Sequence, residues 1–113
     1  MKLTELEAEF VGGYKENPES YRHLPSVEGA QGVLFICPKC ENHSILCWFA
    51  NPRNAPKVPD SVFPKPGRWT FSGETIETLT LDPSIDLSKI DQKNPASATR
   101  CYWHGFVANG EAK

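Results

Sequence analysis

The sequence predicts a mostly β fold: a small zinc-ribbon-like domain with an elaborated antiparallel sheet. Two observations carry this expectation. Cys37-Pro38-Lys39-Cys40 and Cys101-Tyr102-Trp103-His104 are short ligand pairs far apart in the chain. Short β-rich apolar runs lead into and out of them, bounded by Gly, Pro, Asn and Ser.

Taken in order, Leu6, Ala8 and Phe10 alternate with Glu7, Glu9 and Val11, which suits a half-buried strand. Leu3, Leu6 and Phe10 also fit one face of a short helix. The strand is preferred, because Gly12-Gly13 ends the pattern early. Residues 12–30 show no period and read as a loop. Gly32 to Ile36 is an apolar run entering Cys37, and Ser44 to Phe49 is a second run leaving the turn. Strand, ligand-bearing turn and strand make half of a zinc ribbon.

Residues 51–68 contain Pro52, Pro56, Pro59, Pro64 and Pro66. Proline fixes φ and removes a backbone donor, so this stretch cannot be a central strand. It reads as a stiff, locally basic loop carrying Arg53, Lys57, Lys65 and Arg68 against Asp60. Trp69 to Phe71 and Thr75 to Leu81 read as strands joined by a turn at Ser72-Gly73. Asp82-Pro83-Ser84 looks like a cap followed by proline at the first position of a helical turn. Residues 86–99 read as a polar loop with a short helical turn at 86–91. Gly105 to Gly110 gives a last short strand and an Asn-Gly turn.

The chain has 113 residues, which suits one zinc-stabilised β domain spanning 1–113. Its formal charge is −2 and its pI near 5.9, so no global nucleic-acid surface is expected. No apolar run approaches the ~18 residues of a membrane-spanning helix. The acidic start, Met1 to Glu7, does not read as a secretory signal. A cytoplasmic setting is therefore expected, and there cysteines serve as metal ligands or core residues.

Zinc takes four thiolate or imidazole ligands in a tetrahedron. Cys37, Cys40, Cys101 and His104 make a complete set that closes the coordination sphere, which predicts a structural Zn2+. The 60 residues between Cys40 and Cys101 exceed familiar ribbon spacings, so the ribbon must be elaborated by extra strands. His43 is the rival ligand: Cys37, Cys40 and His43 are spaced three apart, with His104 or Cys101 completing the alternative set. Cys47 lies mid-strand among aromatics and reads as a buried small hydrophobe. His23 reads as a surface residue. A thioredoxin-like use of Cys37-Pro38-Lys39-Cys40 needs a helix N-terminus, and strand patterns flank this motif instead.

Trp48, Trp69, Trp103, Tyr102 and Phe106 read mainly as core around the ligand turns. Ser84 lacks an obvious basic partner, and no nucleophile–base constellation is visible. No catalytic residue is therefore expected. The proline-stiffened loop, with Arg53, Lys57, Lys65 and Arg68 and with Trp69 at its end, is the expected partner-binding surface.

The segments Phe35 to Cys40, His43 to Phe49, Pro66 to Thr70, Leu79 to Ile85 and Cys101 to Glu111 together resemble a family of small bacteriophage and prophage proteins, some of which carry an ammonia-monooxygenase label. The resemblance spans roughly residues 32–111. It implies a phage or prophage origin, a bacterial host cell and a zinc-binding β domain, and it implies no activity. The expected function is an accessory module that binds a host or phage protein without catalysis. The alternatives are a nucleic-acid-binding zinc ribbon and a zinc-dependent hydrolase.

Overall fold

A computed structural model describes residues 1–16, 19–65, 67–89 and 102–113. The described residues form two four-stranded antiparallel sheets, with only 3-10 turns as helical structure. The expected mostly β, antiparallel class is what the chain adopts.

The first sheet has the order β2-β1-β3-β4, with β1 Glu9–Glu16, β2 Glu19–Leu24, β3 Ala30–Ile36 and β4 Ser44–Trp48. The second has the order β5-β6-β7-β8, with β5 Thr70–Ser72, β6 Thr80–Asp86, β7 His104–Ala108 and β8 Glu111–Ala112. The β3 and β4 runs pair in continuous register, Gly32 opposite Trp48 through Ile36 opposite Ser44. Their odd-numbered residues Val33, Phe35, Ile45 and Cys47 are buried in the main core.

Four local readings change, one of them the strand read over Thr75 to Leu81, which begins only at Thr80 after a 3-10 turn at Ile76–Thr78. A 3-10 turn at Leu3–Leu6 precedes β1, burying Leu3 and Leu6. β1 does not stop at Gly12-Gly13; it runs through them, with register shifts that mark irregularities in both of its ladders. Gly13, at φ 64°, takes the left-handed backbone such an irregularity accommodates. The region read as a loop thus supplies the second half of β1, all of β2 and the start of β3. Finally, Asp82-Pro83-Ser84 lies inside β6 and not in a helical turn; the 3-10 turns are at Ile76–Thr78 and Leu87–Lys89.

The inner faces of the two sheets share one core. Phe49 stacks on Phe71 with ring centroids 4.3 Å apart, and Phe35 meets Trp103 edge-on at 6.3 Å. Aromatic pairs in these geometries add about 0.5–1.5 kcal/mol beyond area burial. The turn between β7 and β8 places both Asn109 and Gly110 at positive φ, the requirement of a two-residue hairpin turn. A Cβ on Gly110 would lie 2.3 Å from the Glu77 carbonyl oxygen, so only glycine fits.

The proline-rich segment is a strap across the outer face of the first sheet. Val58 and Val62 join Val11 and Trp48 in a second small core. Gln31, buried at the sheet, accepts from the Tyr14 amide and donates to the Pro56 carbonyl. The Trp48 indole donates to the Phe63 carbonyl at 3.0 Å. Beyond the strap, the Asn51 side chain accepts from the Phe71 amide at 2.9 Å and donates to the Phe71 carbonyl at 3.2 Å, pairing with β5 as a strand would. No helix among the described residues is long and apolar enough to cross a membrane.

Candidate active site and metal centre

Cys37, Cys40 and His43 occupy the turn between β3 and β4. The turn is closed by the Cys37 amide donating to the His43 carbonyl at 2.8 Å and the Glu41 amide to the Cys37 carbonyl at 3.0 Å. Glu41 takes positive φ, 57°, to complete the reversal. The three ligand atoms lie within 4.8 Å of one another, and Cys40 Sγ is 3.1 Å from His43 Nδ1. A tetrahedral zinc ion at its usual bond lengths sets its ligand atoms roughly 3.5–3.8 Å apart. The donor set and spacing therefore fit a metal ion. Cys37 is fully buried and Cys40 and His43 half-buried, so the cluster opens on one side. Burial lowers the His43 pKa, which favours the neutral imidazole a metal needs.

Cys101 falls outside the described residues. His104 stands at the start of β7 with its Nε2 3.2 Å from Ser84 Oγ. Cys47 is fully buried and its thiol pKa is raised strongly by loss of water, which suits an inert core thiol.

The Ser84–His104 pair results from the sheet. Between the pairs Leu81–Val107 and Ile85–Gly105, β6 advances four residues while β7 advances two. This register shift marks an irregularity in β6 that ends at Ser84, and Ser84, preceding the buried Ile85, shares the outer face with Asp86 and His104. Such irregularities commonly re-aim a side chain at functional sites. The register also sets Asp86 directly opposite His104. Directly opposed residues have Cβ atoms about 4.5–5.5 Å apart on the same face. The Asp86 carboxylate accepts from the Ser88 amide at 3.0 Å and the Ser88 hydroxyl at 2.6 Å. Behind the serine, the buried Trp69 indole donates to the Ser84 carbonyl at 3.4 Å.

Sequence reasoning did not bring Ser84 and His104 together, because it assigned His104 to the metal. The useful signal was a serine on one β run and a histidine on a later one. Nothing in the local spacing says that the two runs are neighbours.

The basic residues of the strap are mostly engaged. The Arg68 side chain is 6% exposed and donates to the carbonyls of Val58, Pro59, Val62, Pro64 and Gly67. A proline-rich segment has more carbonyl acceptors than amide donors, and the five N–H groups of one guanidinium meet that excess. Trp69 is buried as well, so neither it nor Arg68 offers a contact surface. Arg53 pairs with Glu74, Lys57 with Asp60, and Lys65 lies 4.6 Å from the Phe63 ring centre.

Comparison with known proteins gives one family. Residues 14–113 match the model of BubE, described as a bacterial ubiquitination-like system serine protease. No curated protein and no solved structure matches the chain. The match replaces the resemblance to phage proteins with a different family. It also overturns two expectations, that the protein is a binding module for a phage, host or nucleic-acid partner and that it performs no catalysis, because the matched family is one of proteases.

Proposed function

The chain belongs to the BubE family of serine proteases, and from that premise we propose that Ser84 is the nucleophile and His104 its general base. The observation that carries the assignment is the 3.2 Å approach of His104 Nε2 to Ser84 Oγ. A hydroxyl is a weak nucleophile until a base within hydrogen-bond reach accepts its proton.

The chemistry follows from that contact. Ser84 Oγ attacks the carbonyl carbon of the scissile amide as its proton passes to His104 Nε2. The tetrahedral intermediate collapses, the C–N bond breaks, and His104 returns the proton to the leaving amine. Water then attacks the acyl-serine, again giving its proton to His104. The second collapse releases the acid and restores Ser84. Asp86, on the same face and opposite His104, is the group placed to orient the imidazole and stabilise its cation. Trp69 fixes the backbone from which Ser84 projects.

The substrates in this reading are proteins handled by the bacterial ubiquitination-like system after which the family is described. Cys37, Cys40 and His43 would hold a zinc ion, with Cys101 as the proposed fourth ligand. Zinc bound there would supply a structural cross-link at the β3–β4 turn, and the proton steps belong to His104.

A fluorophosphonate probe tests the assignment. Wild-type protein should be labelled on Ser84, and Ser84→Ala should not be labelled. Labelling that persists on another residue would remove Ser84 from the role.

A further inference from the structure

The face that carries Ser84 and His104 also displays aromatic side chains on both sides of the histidine. Exposure alternates along the chain here: Tyr102, His104, Phe106 and Ala108 are exposed, while Trp103, Gly105 and Val107 are buried. Tyr102 is 61% exposed and Phe106 60%, more than any other large hydrophobic residue described. Phe106 does not swing on a loop. Its amide donates to the Lys113 carbonyl at 2.8 Å and its carbonyl accepts from the Lys113 amide at 2.9 Å. A paired strand therefore holds an unburied phenyl ring two residues from the general base, where an apolar surface costs solubility and adds nothing to the core.

We propose that the substrate is an extended polypeptide segment lying along β7, and that Phe106 selects an apolar side chain two residues from the scissile bond. The inference rests on the assignment of Ser84 and His104 above. Two residues of strand span about 6.6 Å, and an extended substrate has the same rise. A chain whose scissile amide sits at His104, which returns the proton to the leaving nitrogen, thus brings the side chain two positions away over Phe106. Helices and turns do not match this repeat, so the segment lies extended where it is cleaved. Tyr102 brackets the other side of His104 and offers a second, equivalent contact.

The test uses the full chain with its metal and a set of internally quenched peptides. They share one sequence and differ by Leu or Ser at each position within three residues of the cleaved bond. Wild-type protein should prefer Leu by about tenfold in kcat/KM at a position two residues away, the low end of what an apolar contact discriminates. Phe106→Ala should bring that ratio near one, with Ser84 still labelled by the fluorophosphonate and thermal stability unchanged. Phe106→Leu should keep most of the preference. A ratio that is the same in Phe106→Ala, or no Leu preference in the wild type, overturns the subsite while leaving the serine assignment in place. Cleavage that persists in Ser84→Ala overturns the serine assignment and this subsite with it.

Discussion

Trp69 and Ser84 are joined by a single hydrogen bond, from the indole Nε1–H to the serine carbonyl at 3.4 Å. It connects the end of the proline-rich strap to the part of β6 that carries the proposed nucleophile. The indole is fixed from the strap side too: a Cβ on Gly67 would lie 2.5 Å from its ring, so the ring packs flush against that backbone. Trp69→Phe keeps an aromatic ring but removes the donor and part of the indole's buried bulk. We expect kcat to fall about tenfold with KM unchanged, because the serine is displaced and the peptide shelf is not. Stability should fall by about 1 kcal/mol. A variant with the same loss of stability and full kcat would show that Trp69 only packs.

Replacing His104 should be as damaging as replacing Ser84, since the two act as one unit. Ser84→Ala and His104→Gln are each expected to lower kcat at least about a thousandfold, and the double variant little further. Peptide cleavage followed beside thermal melting separates this from misfolding. Independent, multiplying losses would argue that the 3.2 Å contact is not the catalytic one.

The metal site predicts a graded pattern of ligand loss. Purified protein should contain one zinc ion per chain by elemental analysis. Cys37→Ser and Cys40→Ser should lose it and melt at lower temperature. His43→Ala should weaken retention, and Cys101→Ser should do the same if that residue closes the tetrahedron. Zinc content unaltered by Cys40→Ser would refute the β3–β4 turn as the site.

Arg68 and the other strap cations should behave oppositely. Arg68→Ala leaves several strap carbonyls without a donor and should cost on the order of 3 kcal/mol in denaturant unfolding. The triple change of Arg53, Lys57 and Lys65 to Ala removes only exposed contacts and should cost under about 1 kcal/mol. Equal effects would mean that strap charge, not the guanidinium hydrogen bonds, holds the segment.

Cys47 gives a pH signature. Its folded pKa is raised by burial, so the unfolded chain ionises first. Above the ordinary thiol value near 8.5 the unfolded state holds fewer protons than the native one, and stability falls as pH rises. This thiol alone contributes a slope of about −1.4 kcal/mol per pH unit in that alkaline window and no pH dependence below it, where both states are protonated. Cys47→Ala, although less stable overall, should show a shallower alkaline decline. Parallel curves for the two proteins would deny the thiol this part.

The central hairpin was legible because Val33, Phe35, Ile45 and Cys47 alternate strictly and the cysteine turn sits between them. The last strand and its Asn-Gly turn were legible for similar local reasons. The second half of β1 and all of β2 were not, because Gly12-Gly13 has the composition of a stop and the structure of an irregular strand. Of the metal cluster, Cys37 and Cys40 were named as ligands together with Cys101 and His104, and His43 stood as the alternative that would join Cys37 and Cys40 in place of one of the second pair. Ser84 and His104 could not be paired from local signals, since their approach depends on a long-range register between β6 and β7. The charge of the strap misled in another way. Arg68 counts as a surface cation in composition, yet its task is to serve carbonyls that prolines leave unpaired.

The amide of Asn51 has a consequence for how any chain can dock. By occupying both the N–H and the C=O of Phe71, it seals the open border of β5 with a single side chain. That border can neither recruit an incoming peptide by β-augmentation nor zip to a second copy edge to edge. Asn51→Ala would uncover it. The expected result is slow self-association at high concentration, seen by light scattering, with unchanged cleavage at dilution.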